Sequence, residues 1–268
     1  MSDMSAGPAA PANGLPRIHT MTFGDLASAL NAGFRDFLRA PLFGLVIGGT
    51  FALIGVVIVA SLTIWQLPWL IYPFAIGFPL VGPFAAVGLY EVSRRLAAGE
   101  RPSWGDVFGV IWAQRRREVS WMAFVMLFVF WIWMYQVRLL IALFLGLVSF
   151  ASFEQFLTVV FTTQDGILFL AIGHVVGAVL ALVLFSITVI SIPLLLEREV
   201  DMVTAMITSI KAVFQSPVVM LGWGVFVTLC VLMASLPLFL GLLVVLPVFG
   251  HATWHLYRRA LPDPASRH

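Results

Sequence analysis

Charge is what this sequence has least of. Of 268 residues, 15 are Lys or Arg and 13 are Asp or Glu, 10% of the chain, against roughly 25% in soluble domains. So few charges cannot cover a soluble body of this size. A bilayer removes the need, because the outside of a helical bundle in lipid is as apolar as its core. A net charge of +2 gives no basic excess for nucleic acid, and none is expected as a partner. The single cysteine, Cys230, excludes an intramolecular disulfide and reads as a small apolar residue facing a neighbouring helix. Catalytic signatures are also missing. There is no P-loop, no His-Glu-x-x-His and no Gly-x-Ser-x-Gly. Nor does any Asp, Glu or Lys fall inside the apolar runs, which counts against a proton relay. The chain is read as non-enzymatic, with no cofactor expected.

What is abundant is apolar length: 61% of residues are hydrophobic, and residues 42–90, 167–196 and 217–257 hold no Asp, Glu, Lys or Arg. A span needs about 20 apolar residues at about 1.5 Å each, so these runs have room for one or two spans apiece. The first divides at Trp65-Gln66-Leu67-Pro68-Trp69, where proline stops a helix and the aromatics suit an interface. This gives span 1 near 42–64 and span 2 near 69–90. Span 3 runs from Val119 to Val137, closing with Trp131, Trp133 and Tyr135 before Arg138. Residues 139–165 read as interfacial or re-entrant. Span 4 covers 167–196 with a kink near Pro193, and the last run folds back at Ser235-Leu236-Pro237 into span 5 (218–235) and span 6 (238–257). With six spans, 14 of the 15 Lys and Arg residues fall on one side, Arg138 alone opposite. By the positive-inside rule both termini are cytoplasmic.

The segments before spans 1, 3 and 5 look alike. With Asp25, Asp106 and Asp201 in register, a base follows ten residues later (Arg35, Arg116, Lys211), and Pro41 and Pro217 follow sixteen residues later in the first and third. Leu26, Leu30, Phe34, Phe37 and Leu38 form one helical stripe, and Met202, Met206, Ile210 and Phe214 another, as in helices lying in the interface. Thr22-x-x-Asp25 and Ser103-x-x-Asp106 are capping boxes. Spans 2, 4 and 6 end in Tyr90 with Arg94-Arg95, Glu197-Arg198, and Tyr257-Arg258-Arg259. The expected fold is all-α and polytopic, three copies of a cytoplasmic amphipathic helix plus a transmembrane hairpin. The repeats fall near 22–100, 101–198 and 199–260, in a membrane domain of residues 21–260 between a disordered tail (1–20) and a short C-terminal one (261–268).

Two features invite a functional reading. His251 and His255, four apart on span 6, share a helix face; paired imidazoles can bind a transition metal or ligate haem, and otherwise hydrogen-bond neighbours such as Glu91. Gly173, Gly177 and Ala181 on span 4, and Gly44 and Gly48 on span 1, are small-residue stripes that let helices approach closely, with His174 hydrogen-bonded across the interface at the first. The bases Arg94, Arg95, Arg115, Arg116, Arg117, Lys211, Arg258 and Arg259 set the topology and are placed to meet lipid headgroups or a partner.

Three segments carry a family resemblance: Gly88-Leu89-Tyr90-Glu91-Val92-Ser93-Arg94-Arg95 onward to Trp104, Ser191-Ile192-Pro193 onward to Asp201, and Gly250-His251-Ala252-Thr253-Trp254-His255-Leu256-Tyr257-Arg258. They resemble a bacterial family of integral membrane proteins, domain of unknown function 2189. The resemblance implies a location in the bacterial inner membrane. Some members are labelled as a cytochrome c oxidase subunit, which implies an accessory role beside a respiratory complex. The alternatives are a transporter or channel for a small neutral or apolar solute, suggested by the repeat and by Pro73, Gly77, Pro79, Gly82 and Pro83, and a haem or metal protein.

Overall fold

A computed structural model of the chain describes residues 18–65, 71–114, 118–146 and 153–262, and among these no residue lies in a strand. Helix α1 (Phe23–Arg39) leads into α2 (Pro41–Thr63) and α3 (Ile71–Ala97). Then come α4 (Trp104–Gln114), α5 (Glu118–Leu140) with a π-helical turn Ile141–Leu145, and α6 (Phe153–Thr162). The chain continues through α7 (Gln164–Thr188), α8 (Ser191–Glu197), α9 (Met202–Gln215), α10 (Pro217–Ser235) and α11 (Leu242–Ala260).

Among the described residues four segments are long and apolar enough to cross a membrane: Pro41–Ser61, Glu118–Leu145, Gln164–Glu197 and Pro217–Ser235. The six expected spans also need α3 and α11. The first ten side chains of α3 lie outside the described residues, and the last third of α11 is polar, carrying His255, Arg258 and Arg259. Span 3 is longer than its interfacial aromatics suggest, because the helix runs past Arg138 to Leu145. Part of the 139–165 segment is thus the end of that span, and α6 folds back onto α7 through a turn so tight that a Cβ on Gly166 would collide with the Val159 carbonyl oxygen.

Local chemistry sets the helix ends. Thr22 caps α1 and Asp25 returns a bond to the Thr22 backbone, a reciprocal box that Ser103 and Asp106 repeat at α4. The Thr22 and Ser103 hydroxyls are the main reason that the Asp25 and Asp106 carboxyls titrate below their ordinary range. At α9 the register differs: Asp201 is itself the N-cap, accepting from the Thr204 backbone, so this helix starts three residues later relative to its closing proline. The joints into α2 and α10 are nearly the same. Ala40 has φ −137°, ψ 57° and Ser216 φ −137°, ψ 60°, and each is followed by proline at the first helical position, where its missing N–H costs nothing.

The kink expected near Pro193 lies just ahead of it, at Val189 and Ile190 between α7 and α8. A proline ring clashes with the carbonyl four residues back, so the break precedes the proline. The Ile190 N–H released there donates to Ser209 Oγ on α9 at 3.1 Å. The final hairpin turns between Ser235 and Leu242 with Leu238 and Phe239 at φ 51° and 64°. Positive φ is costly for such side chains. Here it turns the Phe239 ring onto α2, where only glycine fits: a Cβ on Gly55 would lie 2.6 Å from the ring.

The two amphipathic helices dock by their small faces. On α1 the buried residues are Leu26, Ala29, Gly33, Asp36 and Phe37, whereas Phe34 and Leu38 of the expected stripe point outward. On α9 they are Ala205, Thr208, Ser209, Ala212 and Val213, with Phe214 outward. Lipid accepts bulky apolar side chains as readily as a core does, so close backbone approach decides which face turns inward. The residues placed in the N-terminal tail begin to order before Met21: His19 N–H donates to the Ala260 carbonyl, Gln215 donates to the Ile18 carbonyl, and Met21 N–H to Ser216 Oγ at 2.8 Å. At the other end Leu261, assigned to the C-terminal tail, is fully buried.

Candidate functional site

The basic ends of the helices form a polar layer over the apolar core. The expected ends of spans 2, 4 and 6 meet there. Glu91, buried on α3, accepts from Arg94 through Nε and Nη2, both at 2.7 Å, and from Arg95 Nε at 2.7 Å. Arg95 also reaches Glu100 at 3.0 Å and Asp106 at 3.1 Å, tying α3 to the start of α4. On α8, Glu197 accepts from Trp254 Nε1 at 2.7 Å and from Arg258 at 3.1 Å, both on α11. Arg258 lies over the Trp254 ring, and Arg198 donates to the Leu261 carbonyl at 3.1 Å. Arg259 pairs with Asp25 at 3.3 Å. Glu118 of α5 accepts from Met202 N–H at 2.9 Å, helping Asp201 cap α9. The bond to Glu91, before any other influence, raises the Arg94 guanidinium above its ordinary value.

Between these ends lies a cavity of about 490 Å³ lined by Glu91, Arg94, Gln114, Glu197, Arg198 and Arg258, with Val110, Ala113 and Leu196. Gln114, the last residue of α4, is buried, and among the described residues its side-chain oxygen has no hydrogen-bond donor.

The paired histidines go separate ways. His251 is fully buried, with Nδ1 2.8 Å from Ser93 Oγ on α3. His255 Nε2 is 2.7 Å from Asp36 Oδ2 on α1. Glu91, the expected neighbour, is committed to the arginines instead. No group of three or more His, Cys, Asp or Glu that could hold a metal comes together among the described residues. The stripes differ as well. A Cβ on Gly44 would lie 2.8 Å from Pro247 and one on Gly48 2.8 Å from the Leu242 carbonyl, whereas one on Gly173 meets only Leu140 at 3.9 Å and one on Gly177 nothing within 4 Å. Among the described residues no backbone comes close to Gly173 or Gly177, and together with Ala181 both stay open on one side. They line an apolar groove of about 480 Å³ between α5 and α7, which continues past Ala178 and Ala181 into a second of about 410 Å³ between α7 and α10. His174, expected to bond across a helix interface, lines the first groove beside Gln136 with Nδ1 2.6 Å from the Leu170 carbonyl of its own helix. Lys211 is exposed on α9, and Arg115, Arg116 and Arg117 lie outside the described residues.

Sequence reasoning missed Asp36, Ser93, Gln114 and Glu197 as partners. One signal was available: Asp36 sits three residues after Gly33 and seven after Ala29, on the face that docks.

The all-helical architecture and its long apolar segments define a multi-pass integral membrane protein. Residues 71–197 match the model of the family described as predicted integral membrane protein (DUF2189). No curated protein and no solved structure matches the chain.

Proposed function

We propose that this chain is a non-enzymatic component of the bacterial inner membrane, with both termini cytoplasmic, that assembles with a partner transmembrane helix in a larger membrane complex. A respiratory complex is the first assembly to test. The observation that carries the reading is the open α5–α7–α10 face, where a small-residue stripe lines an unfilled groove together with His174 and Gln136. Polar side chains facing hydrocarbon are costly, and a second helix with a hydrogen-bonding group removes that cost. The Nδ1–H of His174 donates to the Leu170 carbonyl, leaving Nε2 as an acceptor. The fitting partner is a helix of small residues with one donor at that depth, such as Ser, Thr, Asn or Gln. The order of elements and the matching joints at Ala40 and Ser216 favour six spans in three repeats.

Mass spectrometry of chromosomally tagged protein, gently solubilised from native membranes, tests the assembly. The expected result is stoichiometric recovery of a membrane subunit, lost when Gly177→Trp fills the groove. Recovery of the chain alone overturns it. The polar cavity favours a second reading, a transporter of a small solute. Solute uptake by proteoliposomes that is abolished by blocking that cavity would move transport to the front.

A further inference from the structure

The turn between α10 and α11 does not have the chemistry of a water-facing loop. Leu236, Leu238 and Leu240 are 74%, 63% and 60% exposed, and Ser235 donates its hydroxyl to the Val231 carbonyl. The other segments at this end of the bundle are different. α2 runs out into exposed Trp65, α5 passes exposed Arg138, and α6 joins α7 through exposed Thr162, Thr163, Gln164 and Asp165. The backbone of the turn is also different from that of a solvated loop. Turns avoid hydrocarbon because unpaired main-chain groups are costly there. Here every N–H from Leu236 to Val245, Pro237 having none, donates to a main-chain carbonyl.

The depth of the turn follows from α11 and α2. α11 has nine residues, Leu242–Gly250, between the turn and His251, whose contact with Ser93 lies in the polar layer beside Glu91 and Arg94. Nine residues cover about 13 Å, under half of a hydrocarbon core of about 30 Å. Against α11, Gly44 of α2 meets Pro247 and Gly48 the Leu242 carbonyl, and further along Gly55 meets the Phe239 ring of the turn. The hairpin ends there, yet α2 continues for eight residues, Val56–Thr63, about 12 Å of further helix. Val56-Val57-Ile58-Val59-Ala60 are all apolar and Trp65 stands beyond them, so this stretch of α2 belongs in hydrocarbon. α10 alone is long enough to cross, but the turn ties it to α11, whose apolar part is not.

We propose that α10 and α11 form a re-entrant hairpin, which enters from the basic end, turns inside the bilayer and leaves by the same side, with Leu236, Leu238 and Leu240 seated among lipid acyl chains. The tip offers acyl chains apolar side chains and no free N–H, so nothing polar is desolvated by burying it there. This shortens the last of the three proposed repeats without moving the termini, because two passages are removed together. It adds the cross-section of the hairpin to the leaflet at the basic end.

Spin labels on the full-length protein in phosphatidylcholine vesicles, with Cys230→Ala as background, test the depth. Electron paramagnetic resonance reads collisions of each label with oxygen, which dissolves in hydrocarbon, and with a water-soluble nickel chelate. At Leu238→Cys the chelate is expected to collide less often than at Trp65→Cys by on the order of tenfold, with oxygen collisions frequent. Leu238 has a positive φ, so Leu236→Cys and Leu240→Cys carry the same measurement should that variant not fold. Equal access of the chelate to the turn and to position 65 would place the turn in water and overturn the proposal. Few collisions with either probe at the turn would mean that protein covers the tip, and would overturn lipid as its occupant.

Discussion

Gly44 and Gly48 on α2 and Gly173 and Gly177 on α7 are the same pattern, two glycines one helical turn apart in an apolar span. On α2 the spacing is used. α11 comes so close that added methyl groups would meet Pro247 and the Leu242 backbone, and Gly33 of α1 presses on the same helix with a would-be Cβ 2.5 Å from the Ala252 nitrogen. On α7 the spacing is present, and among the described residues only Leu140 comes within 4 Å of a methyl added at either glycine. The contrast extends to whole helices: the main core cluster draws on α1, α3, α8, α9, α10 and α11, whereas α5 buries only Val119, Met122, Ala123 and Leu140 and shows Trp121, Phe124, Phe128, Trp131 and Tyr135 outward. A small-residue stripe therefore states that close approach is permitted. Which helix takes up the offer depends on what else holds the two together. For α1 and α11 that is the Asp36–His255 contact and the Arg259–Asp25 pair at the polar end.

The sharpest break of this comparison is Gly33→Ala. Its methyl would collide with the α11 backbone rather than a movable side chain, so the helices must separate. Overpacking of this kind costs about 1–3 kcal/mol. The expected outcome is a lower thermal midpoint in detergent and a reduced folded yield, read by circular dichroism and size-exclusion chromatography. An unchanged midpoint would show that α1 does not seat on α11 as described.

Next in size is the buried contact between α3 and α11. Ser93→Val deletes the hydroxyl 2.8 Å from His251 Nδ1 and leaves that nitrogen of a fully buried ring without it. Leaving such a group unpaired costs about 1–3 kcal/mol. His255→Ala, at a contact with more exposure, is expected to cost less in the same melting assay. A reversed order would place the weight of the α11 packing on α1 instead of α3.

How much of this was legible from residues alone divides along the same line. Features set within a few residues were readable: both capping boxes, the proline-interrupted joints at 41 and 217, the turn at Ser235-Leu236-Pro237 and a kink near Pro193. Each depends on a local clash or a local hydrogen bond. Contacts between distant helices were not. His251 and His255 share a face by spacing, yet Ser93 and Asp36 approach from different helices, 158 and 219 residues away. Phe34 and Leu38 share one apolar stripe with Leu26 and Phe37, and Phe214 another with Met206, by hydrophobicity, which in lipid does not separate the inside of a bundle from its outside. The third aspartate, Asp201, was set in register with two residues at the third helical position but serves as the cap itself, because no Ser or Thr stands three places before it.

The cap on α1 gives a smaller effect with a pH signature. Thr22→Ala removes a cap, which costs about 1 kcal/mol near neutral pH. In the native protein the Thr22 hydroxyl holds the Asp25 carboxyl below its ordinary range. A carboxylate whose folded value is depressed stabilises the fold above its unfolded value and loses that contribution as pH falls through the folded one. The gap between native and Thr22→Ala midpoints is therefore expected to be constant from pH 7 to about pH 5 and to narrow below about pH 4. A gap that stays constant to pH 3 would mean that the hydroxyl alone, without Asp25, makes the cap.

The smallest expected effect on the isolated chain is at Gly177, and it sharpens the comparison most. Alanine there meets nothing within 4 Å and removes a glycine from a helix interior, so the monomer is expected to be unchanged or more stable by up to about 1 kcal/mol. The same methyl on Gly48 would strike the Leu242 carbonyl, so Gly48→Ala and Gly177→Ala should move the melting midpoint in opposite directions. In native membranes the α7 change acquires a second reading. If a partner helix lies in the groove as closely as α11 lies on α2, Gly177→Ala stabilises the purified chain yet weakens recovery of the partner, and Gly177→Trp abolishes it. A substitution that helps the chain alone and harms the assembly separates a docking surface from a lipid-filled one, because lipid yields to a methyl group and a packed backbone does not.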